Sequence, residues 1–351
     1  MKKNLALFMA VVLAAALFAG CGTGGTTPSA SPSASAPTSA APTGDVSEAV
    51  KTGLAVINSI AKSADAGEKD GLAQADSLIV ALTVGADGKI VSCVIDAAQS
   101  KVSFNAKGEL ITPLDAEFKT KNELGAEYGM GKASDIGMEW NAHAAAFAAY
   151  VTGKTLNEVK GIAVNEEGVP TEADLTASVT VHVTDFIAGI EKAAAGAQEL
   201  GASKGDVLNI ATSTNIANSK NAAGDTEGLA QVYSTYAALT RDGGGKITSC
   251  IFDASQSNVS FDATGKITTD LTVAPQTKNE LSDAYGMRKA SDIGKEWNEQ
   301  AAAFAAYITG KTAAEAAGIA VSEGYAGDAD LKASVTIHIT DFLAVIAKAA
   351  A

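Results

Sequence analysis

A chain of 351 residues, 47% hydrophobic and 19% charged, is long enough for two domains and too apolar for a wholly disordered or collagen-like polymer. Its formal net charge of -14, from 26 Lys and Arg against 40 Asp and Glu, leaves no basic stripe to track phosphates; no nucleic-acid partner is expected. Cys21, Cys93 and Cys250 are too few and too scattered for a disulfide framework or a CxxC site, so no metal is expected.

Lys2 and Lys3 precede an uncharged apolar run from Leu5 to Gly20, the pattern of a secretory signal peptide over residues 1–20. The run is shorter than the ~20 residues that span a bilayer comfortably, and no later segment approaches that length, so no transmembrane helix is expected in the mature chain. Ala19-Gly20 before Cys21 resembles the lipobox of bacterial lipoproteins. The resemblance implies that the Cys21 thiol receives a diacylglyceryl group and anchors the chain to the extracytosolic face of the cell membrane, where two acyl chains hold stably and one is marginal. Residues 22–44 contain little beyond Gly, Ser, Thr, Ala and Pro and cannot build a core. Residues 21–44 are therefore expected to be a lipid-anchored linker, reaching about 26 Å at ~5–6 Å per root residue.

The remainder is written twice. Thr120-Lys121-Asn122-Glu123-Leu124 recurs as Thr277-Lys278-Asn279-Glu280-Leu281, and Cys93, Trp140 and Tyr150 recur as Cys250, Trp297 and Tyr307. Between residues 120–155 and 277–312, 28 of 36 positions are identical without a gap. One residue fewer in the second copy shifts the later pairing, so Thr180 matches Thr336. A period this long is a domain and not a solenoid repeat, which places domain 1 at residues 45–196 and domain 2 at residues 201–351.

In copy one, Asp45-Val46-Ser47-Glu48 reads as a capping box, and Val50, Leu54, Ile57 and Ala61 follow at helical spacing, predicting an opening helix. Leu78 to Val84 and Lys89 to Asp96 read as strands about a turn at Asp87-Gly88, and Lys101 to Phe104 leads to a turn at Lys107-Gly108, predicting an antiparallel meander. A helix is expected to start near Ser134-Asp135, bury Trp140, Ala144, Phe147 and Val151, and stop at Gly153. Thr155-Leu156-Asn157-Glu158 reads as the capping box of a short helix. Residues 178–183 alternate as a strand before a closing helix capped by Thr184. The fold class is α+β: two tandem copies of an antiparallel-sheet domain with packed helices.

Several motifs carry no chemistry. Gly153-Lys154-Thr155 resembles the end of a P-loop, yet Ala148 stands where that motif needs glycine, and a helix precedes it instead of a strand. Cys93 and Cys250 sit in apolar strand runs and read as buried cysteines. His143 is Gln300 in the second copy, so no role shared by both copies rests on it, and it reads as a surface histidine. No carboxylate pair stands beside a plausible base, so there is no catalytic residue to name. Trp140 and Trp297 read as core anchors or as lining for a flat ligand. Tyr128-Gly129-Met130 and Tyr285-Gly286-Met287 are poor helix material and read as pocket candidates.

Asp174-Leu175-Thr176-Ala177-Ser178-Val179-Thr180 and Asp330-Leu331-Lys332-Ala333-Ser334-Val335-Thr336 each precede a closing amphipathic helix. This layout resembles the FMN-binding domain family, whose motif runs Asp, two variable residues, Ser or Thr, Gly, Ala and an acceptor Thr. Ala177 and Ala333 replace the Ser or Thr, Ser178 and Ser334 the Gly, and Val179 and Val335 the Ala. The wider blocks Lys-Asn-Glu-Leu, Tyr-Gly-Met, Lys-Ala-Ser-Asp-Ile-Gly and Glu-Trp-Asn resemble flavinylated extracytosolic electron-transfer lipoproteins of Gram-positive bacteria over most of residues 45–351. The resemblance implies two FMN groups joined by an FMN transferase as phosphoesters to Thr180 and Thr336, with Asp174 and Asp330 in the motif. It also implies a membrane electron donor and an extracellular electron acceptor. On the strand reading, His182 and His338 share a face with Thr180 and Thr336 and can approach a phosphate; Ser178 and Ser334 point the same way and remain rivals for attachment. The alternative is a non-catalytic binding or cell-wall interaction lipoprotein without cofactor. An enzyme turning over its own substrate comes last.

Overall fold

Lys51–Ser59 is a strand, β1, and not the helix expected from Val50, Leu54, Ile57 and Ala61. Both of its faces are covered, Ala55 by the helices of its own copy and Val56 by the sheet of the other. Apolar residues therefore fall on both sides and the two-residue alternation disappears. The computed structural model describes residues 48–350; the signal segment, Cys21, the linker and Asp45 to Ser47 lie outside the described residues.

The expected hairpin about Asp87-Gly88 forms, but the runs Lys89 to Asp96 and Lys101 to Phe104 are one strand. The turn at Lys107-Gly108 leads only to an isolated bridge between Phe104 and Leu110, and the third strand of the meander is β1. β2 (Gly71–Val84) and β3 (Ile90–Phe104) continue β1 in an antiparallel sheet of order β1-β2-β3, and Gly88 supplies the left-handed turn residue at φ 76°. Thr120 and Glu123 form a reciprocal capping box for α1 (Lys121–Leu124), after which Gly125–Tyr128 makes a 3-10 turn. α2 (Trp140–Val151) begins later than Ser134, because turns occupy residues 131–136. It buries the expected Trp140, Ala144, Phe147 and Val151. Thr155 and Glu158 cap α3 (Leu156–Lys160) as expected, followed by α4 (Ala173–Thr176) and α5 (Thr184–Ala195).

Residues 178–183 are not the expected strand; they cross irregularly from α4 to α5. Val179 and Val183 are fully buried, but their N–H groups donate to Leu175 O and Gly168 O at 2.8 and 2.9 Å. With the backbone satisfied by a turn and a hairpin, no partner strand is needed. Thr184 does not cap α5: it is the first helical residue, Val183 is the N-cap, and the Thr184 hydroxyl meets the His182 ring.

Copy two repeats the plan with β4 (Val207–Asn215), β5 (Gly228–Arg241) and β6 (Ile247–Phe261) in order β4-β5-β6. α6 (Lys278–Leu281), α7 (Trp297–Ile308) and α8 (Ala313–Ala317) follow, and after them β7 (Val321–Ser322), β8 (Tyr325–Ala326), α9 (Ala329–Lys332) and α10 (Thr340–Ala350). The missing residue falls in the turn of the β7-β8 hairpin: Val321 bridges Ala326, whereas the copy-one equivalents Val164 and Pro170 enclose one residue more. Val169 is thus the counterpart of Tyr325.

Each sheet carries helices on one face, α5 and α2 on the first and α10 and α7 on the second, and turns its other face to the other sheet. The shared core joins Ile60, Ala73, Val102 and Phe104 to Ile216, Ala230, Val259 and Phe261. The contacts are reciprocal. Ala66 N donates to Gly265 O and Ala222 N to Gly108 O, both at 2.8 Å; Lys192 pairs with Glu280 at 2.6 Å and Lys348 with Glu123 at 2.8 Å. The linker after α5 runs along the edge of β1, Thr52 and Gln198 exchanging backbone hydrogen bonds. Residues 48–350 accordingly belong to one compact unit, in which the two copies close a common core. No helix among the described residues is long and apolar enough to cross a membrane.

Candidate functional site

Thr336 lies in the irregular crossing between α9 and α10, and its position is fixed from α7. Gln300, fully buried, accepts from Thr336 N at 2.7 Å and from Thr336 Oγ1 at 3.1 Å, while its Nε2 donates to Lys295 O at 3.1 Å and Ser291 Oγ at 3.2 Å. In copy one His143 takes this place. It is fully buried, which corrects the surface reading, with Nε2 3.2 Å from Ser134 Oγ, Nδ1 3.1 Å from Ser178 O and Nδ1 3.4 Å from Thr180 N. A ring and an amide of similar reach thus tether the same loop from the same helix position. The sequence comparison passed over both because their chemistry differs.

A cavity of about 240 Å³ opens beside Thr336, lined among others by Tyr233, Lys278, Met287, Trp297, Tyr325, His338 and Asp341. Its central feature is Lys278, 5% exposed, with Nζ 4.7 to 4.9 Å from the ring centres of Tyr285, Tyr233 and Trp297 and donating to Tyr233 Oη at 3.1 Å. Such a cage holds a desolvated cation against three ring faces. Burial pushes the Lys278 ammonium down to about 8, against the pull of Asp253 and Asp341. Asp341 is itself shifted upward by burial, opposed by His338 and Lys278.

Of the residues singled out from the sequence, Thr336, His338 and Met287 therefore share one cavity in copy two, and Tyr285 forms part of its cage. Gly286, at φ 79°, ends the 3-10 turn Ser282–Tyr285, and Met287 N then donates to the buried Glu296 carboxylate at 2.8 Å. His338 stacks edge-on against Tyr325, centroids 4.1 Å apart, and a Cβ on Gly324 would come within 2.7 Å of its ring. In copy one, Tyr128 and Met130 pack against the core and Thr180 is half-buried; His182 is exposed, as His338 is in copy two.

Asp174 and Asp330 do not join either threonine: they stand exposed on α4 and α9. The Ser178 and Ser334 hydroxyls turn back to Leu175 O and Leu331 O, each at 3.3 Å. Shared strand direction, which left these serines equivalent to Thr180 and Thr336, does not apply to an irregular segment, and in both copies the serine serves the C-terminal turn of the short helix.

Lys121 and Lys278 were missed, though a signal existed. A lysine at the first position of a capped helix sits where the helix end favours anions, and its recurrence in both copies marks it. Tyr233 and Tyr325 carried no such signal, since copy one has Asp76 and Val169 in their places. Two larger grooves, of about 510 and 470 Å³, lie between α7 and β6 and between α2 and β3. Alanines, asparagines and the two strand cysteines line them. Cys250 is buried as expected, whereas Cys93 is half-buried; desolvation pushes the Cys93 thiol up to about 12 and Cys250 higher still, which favours the protonated thiol in both. Among the described residues no group of His, Cys, Asp and Glu is arranged to hold a metal ion.

Comparison of the chain with protein-family models, with curated proteins and with solved structures finds no match.

Proposed function

We propose that the protein is a membrane-anchored extracytosolic flavoprotein carrying two FMN groups, one on Thr180 and one on Thr336, and that it passes electrons from a membrane donor towards extracellular acceptors. The observation that carries the reading is that Thr336 and the aromatic-caged Lys278 line one cavity. The donor set suits the cofactor: aromatic faces and a thioether for the ring, and a cation and a histidine for its anionic groups. Bound FMN supplies reversible transfer of one or two electrons. The chain's own residues orient and retain it. Gln300 and His143 hold the threonine loops, and α5 begins without a side-chain cap, leaving N–H groups of its first turn open towards a phosphate.

Location supports covalency. A dissociable cofactor outside the cell is lost by dilution, whereas a phosphoester to threonine retains it whatever the pocket's affinity. Attachment is the work of the FMN transferase, and anchoring rests on a lipid at Cys21, which lies outside the described residues.

Intact-mass measurement on protein secreted from a host containing the transferase tests the reading. Two FMN increments and a yellow product are expected, falling to one in Thr180→Val or Thr336→Val and to none in the double variant. A colourless wild-type protein without flavin overturns it in favour of a cofactor-free binding lipoprotein.

A further inference from the structure

We infer that copy two binds a flavin ring without any covalent bond and that copy one does not, an asymmetry that takes from the proposed function only the identity of the ring. Of the eleven residues that line the copy-two cavity, four differ from their copy-one equivalents, one of them only as Ile337 for Val181. Tyr233, Thr235 and Tyr325 line the copy-two cavity, and Asp76, Leu78 and Val169 stand at the equivalent places in copy one.

Each exchange changes what the site can hold. Tyr233 accepts the hydrogen bond from Lys278 and completes its cage as a third ring. In copy one, Lys121 has only Tyr128 and Trp140, each 4.7 Å away, and remains half-buried. Asp76 turns from it to Lys62 at 3.1 Å and Gln74 at 2.9 Å. Tyr325, with its ring against His338, gives copy two a further aromatic wall, where Val169 offers a small aliphatic one.

The result in copy two is a cavity with Tyr233, Trp297 and Tyr325 in its wall, the caged Lys278 at its centre, and Asp341 and His338 beside them. Flat aromatic systems stack on such walls, and a desolvated ammonium attracts the electron-rich carbonyl edge of a ring far more than an exposed one does. The volume of about 240 Å³ is below the ~300 Å³ at which pockets enclose a whole ligand. That suits a ring system whose side chain and phosphate lie outside, towards Thr336.

The test uses the full chain purified from a host that lacks the transferase, titrated with FMN and followed by equilibrium dialysis and flavin fluorescence. One FMN per chain is expected, with its fluorescence quenched by the cage. Tyr233→Asp and Tyr325→Val, which give copy two the residues of copy one, should each weaken binding at least tenfold. Tyr325 stands on an exposed hairpin, so its variant reports on binding even if Tyr233→Asp unfolds. No binding, two equal sites, or binding unchanged in Tyr325→Val overturns the inference. Covalent flavin on the secreted protein with no binding by the unmodified chain removes this inference alone. Dissociable binding sensitive to Tyr325 with no covalent flavin anywhere removes the phosphoester and leaves it standing.

Discussion

Phe104 and Phe261, equivalent residues of the two copies, stack face to face with centroids 4.1 Å apart and planes 2° from parallel. Both are fully buried, and each ring also closes over the glycine that opens the neighbouring strand of its own sheet, Gly71 or Gly228. The pair marks the place where the two copies meet as equals.

Truncating either ring removes packing from both sheets at once. Phe104→Ala or Phe261→Ala is expected to cost about 3–5 kcal/mol, and the double variant less than the sum, because the second truncation enlarges an existing cavity. Urea denaturation of the three variants checks this; strictly additive losses would mean the rings act independently.

Because the core is shared, each copy alone would expose the apolar inner face of its sheet. Residues 48–196 and 201–351, produced separately, are therefore expected to melt without cooperativity as monomers and to regain a cooperative transition when mixed. A sharp, concentration-independent melt of either half would show that its helices and sheet suffice.

Asp96 and Asp253 sit under the first turns of α1 and α6, accepting from Asn122 N and Asn279 N at 3.0 Å. Burial pushes both carboxyls up to about 6 despite these bonds. A folded-state value above the unfolded one means that the folded protein takes up protons first as pH falls. Their contribution is fully present below the unfolded value near 3.8 and is lost as pH rises through 6, a swing of about 3 kcal/mol for each group. Stability measured at pH 7.5, 6 and 5 should rise on acidification, and more steeply than in the Asp96→Asn/Asp253→Asn variant. Equal slopes would refute the assignment.

The crossed ion pairs Lys192–Glu280 and Lys348–Glu123 are each about a third exposed on both sides. A double-mutant cycle on either should give less than about 1 kcal/mol, shrinking in added salt. Losses well above that in Lys192→Met would point instead to its second hydrogen bond, to Val56 O at 2.6 Å.

The duplication, the hairpin about Asp87-Gly88, the capping box at Thr155 and the buried face of α2 were legible because each depends on local chemistry or direct repetition. β1 was not. Its residues answer to two layers that come from distant parts of the chain, so its pattern carries no single period. The same cause hid the site: Thr336 is placed by Gln300, 36 positions away, and Lys278 is caged by Tyr233 from another strand. The strand read into residues 178–183 failed because alternation of Val179, Val181 and Val183 fits a plugged crossing as well as a sheet.

The reciprocal exchange of turns and ion pairs gives the geometry of a dimer to a single chain. Two separate copies would assemble by mass action, and dilution would take them apart. Joined through residues 196–206, the halves see one another at a fixed effective concentration, so the fold survives at any protein level. Tethering also lifts a symmetry constraint. In a true homodimer every substitution appears twice, whereas here one half can gain a tyrosine where the other keeps an aspartate, and two sites of common origin are free to take up different tasks.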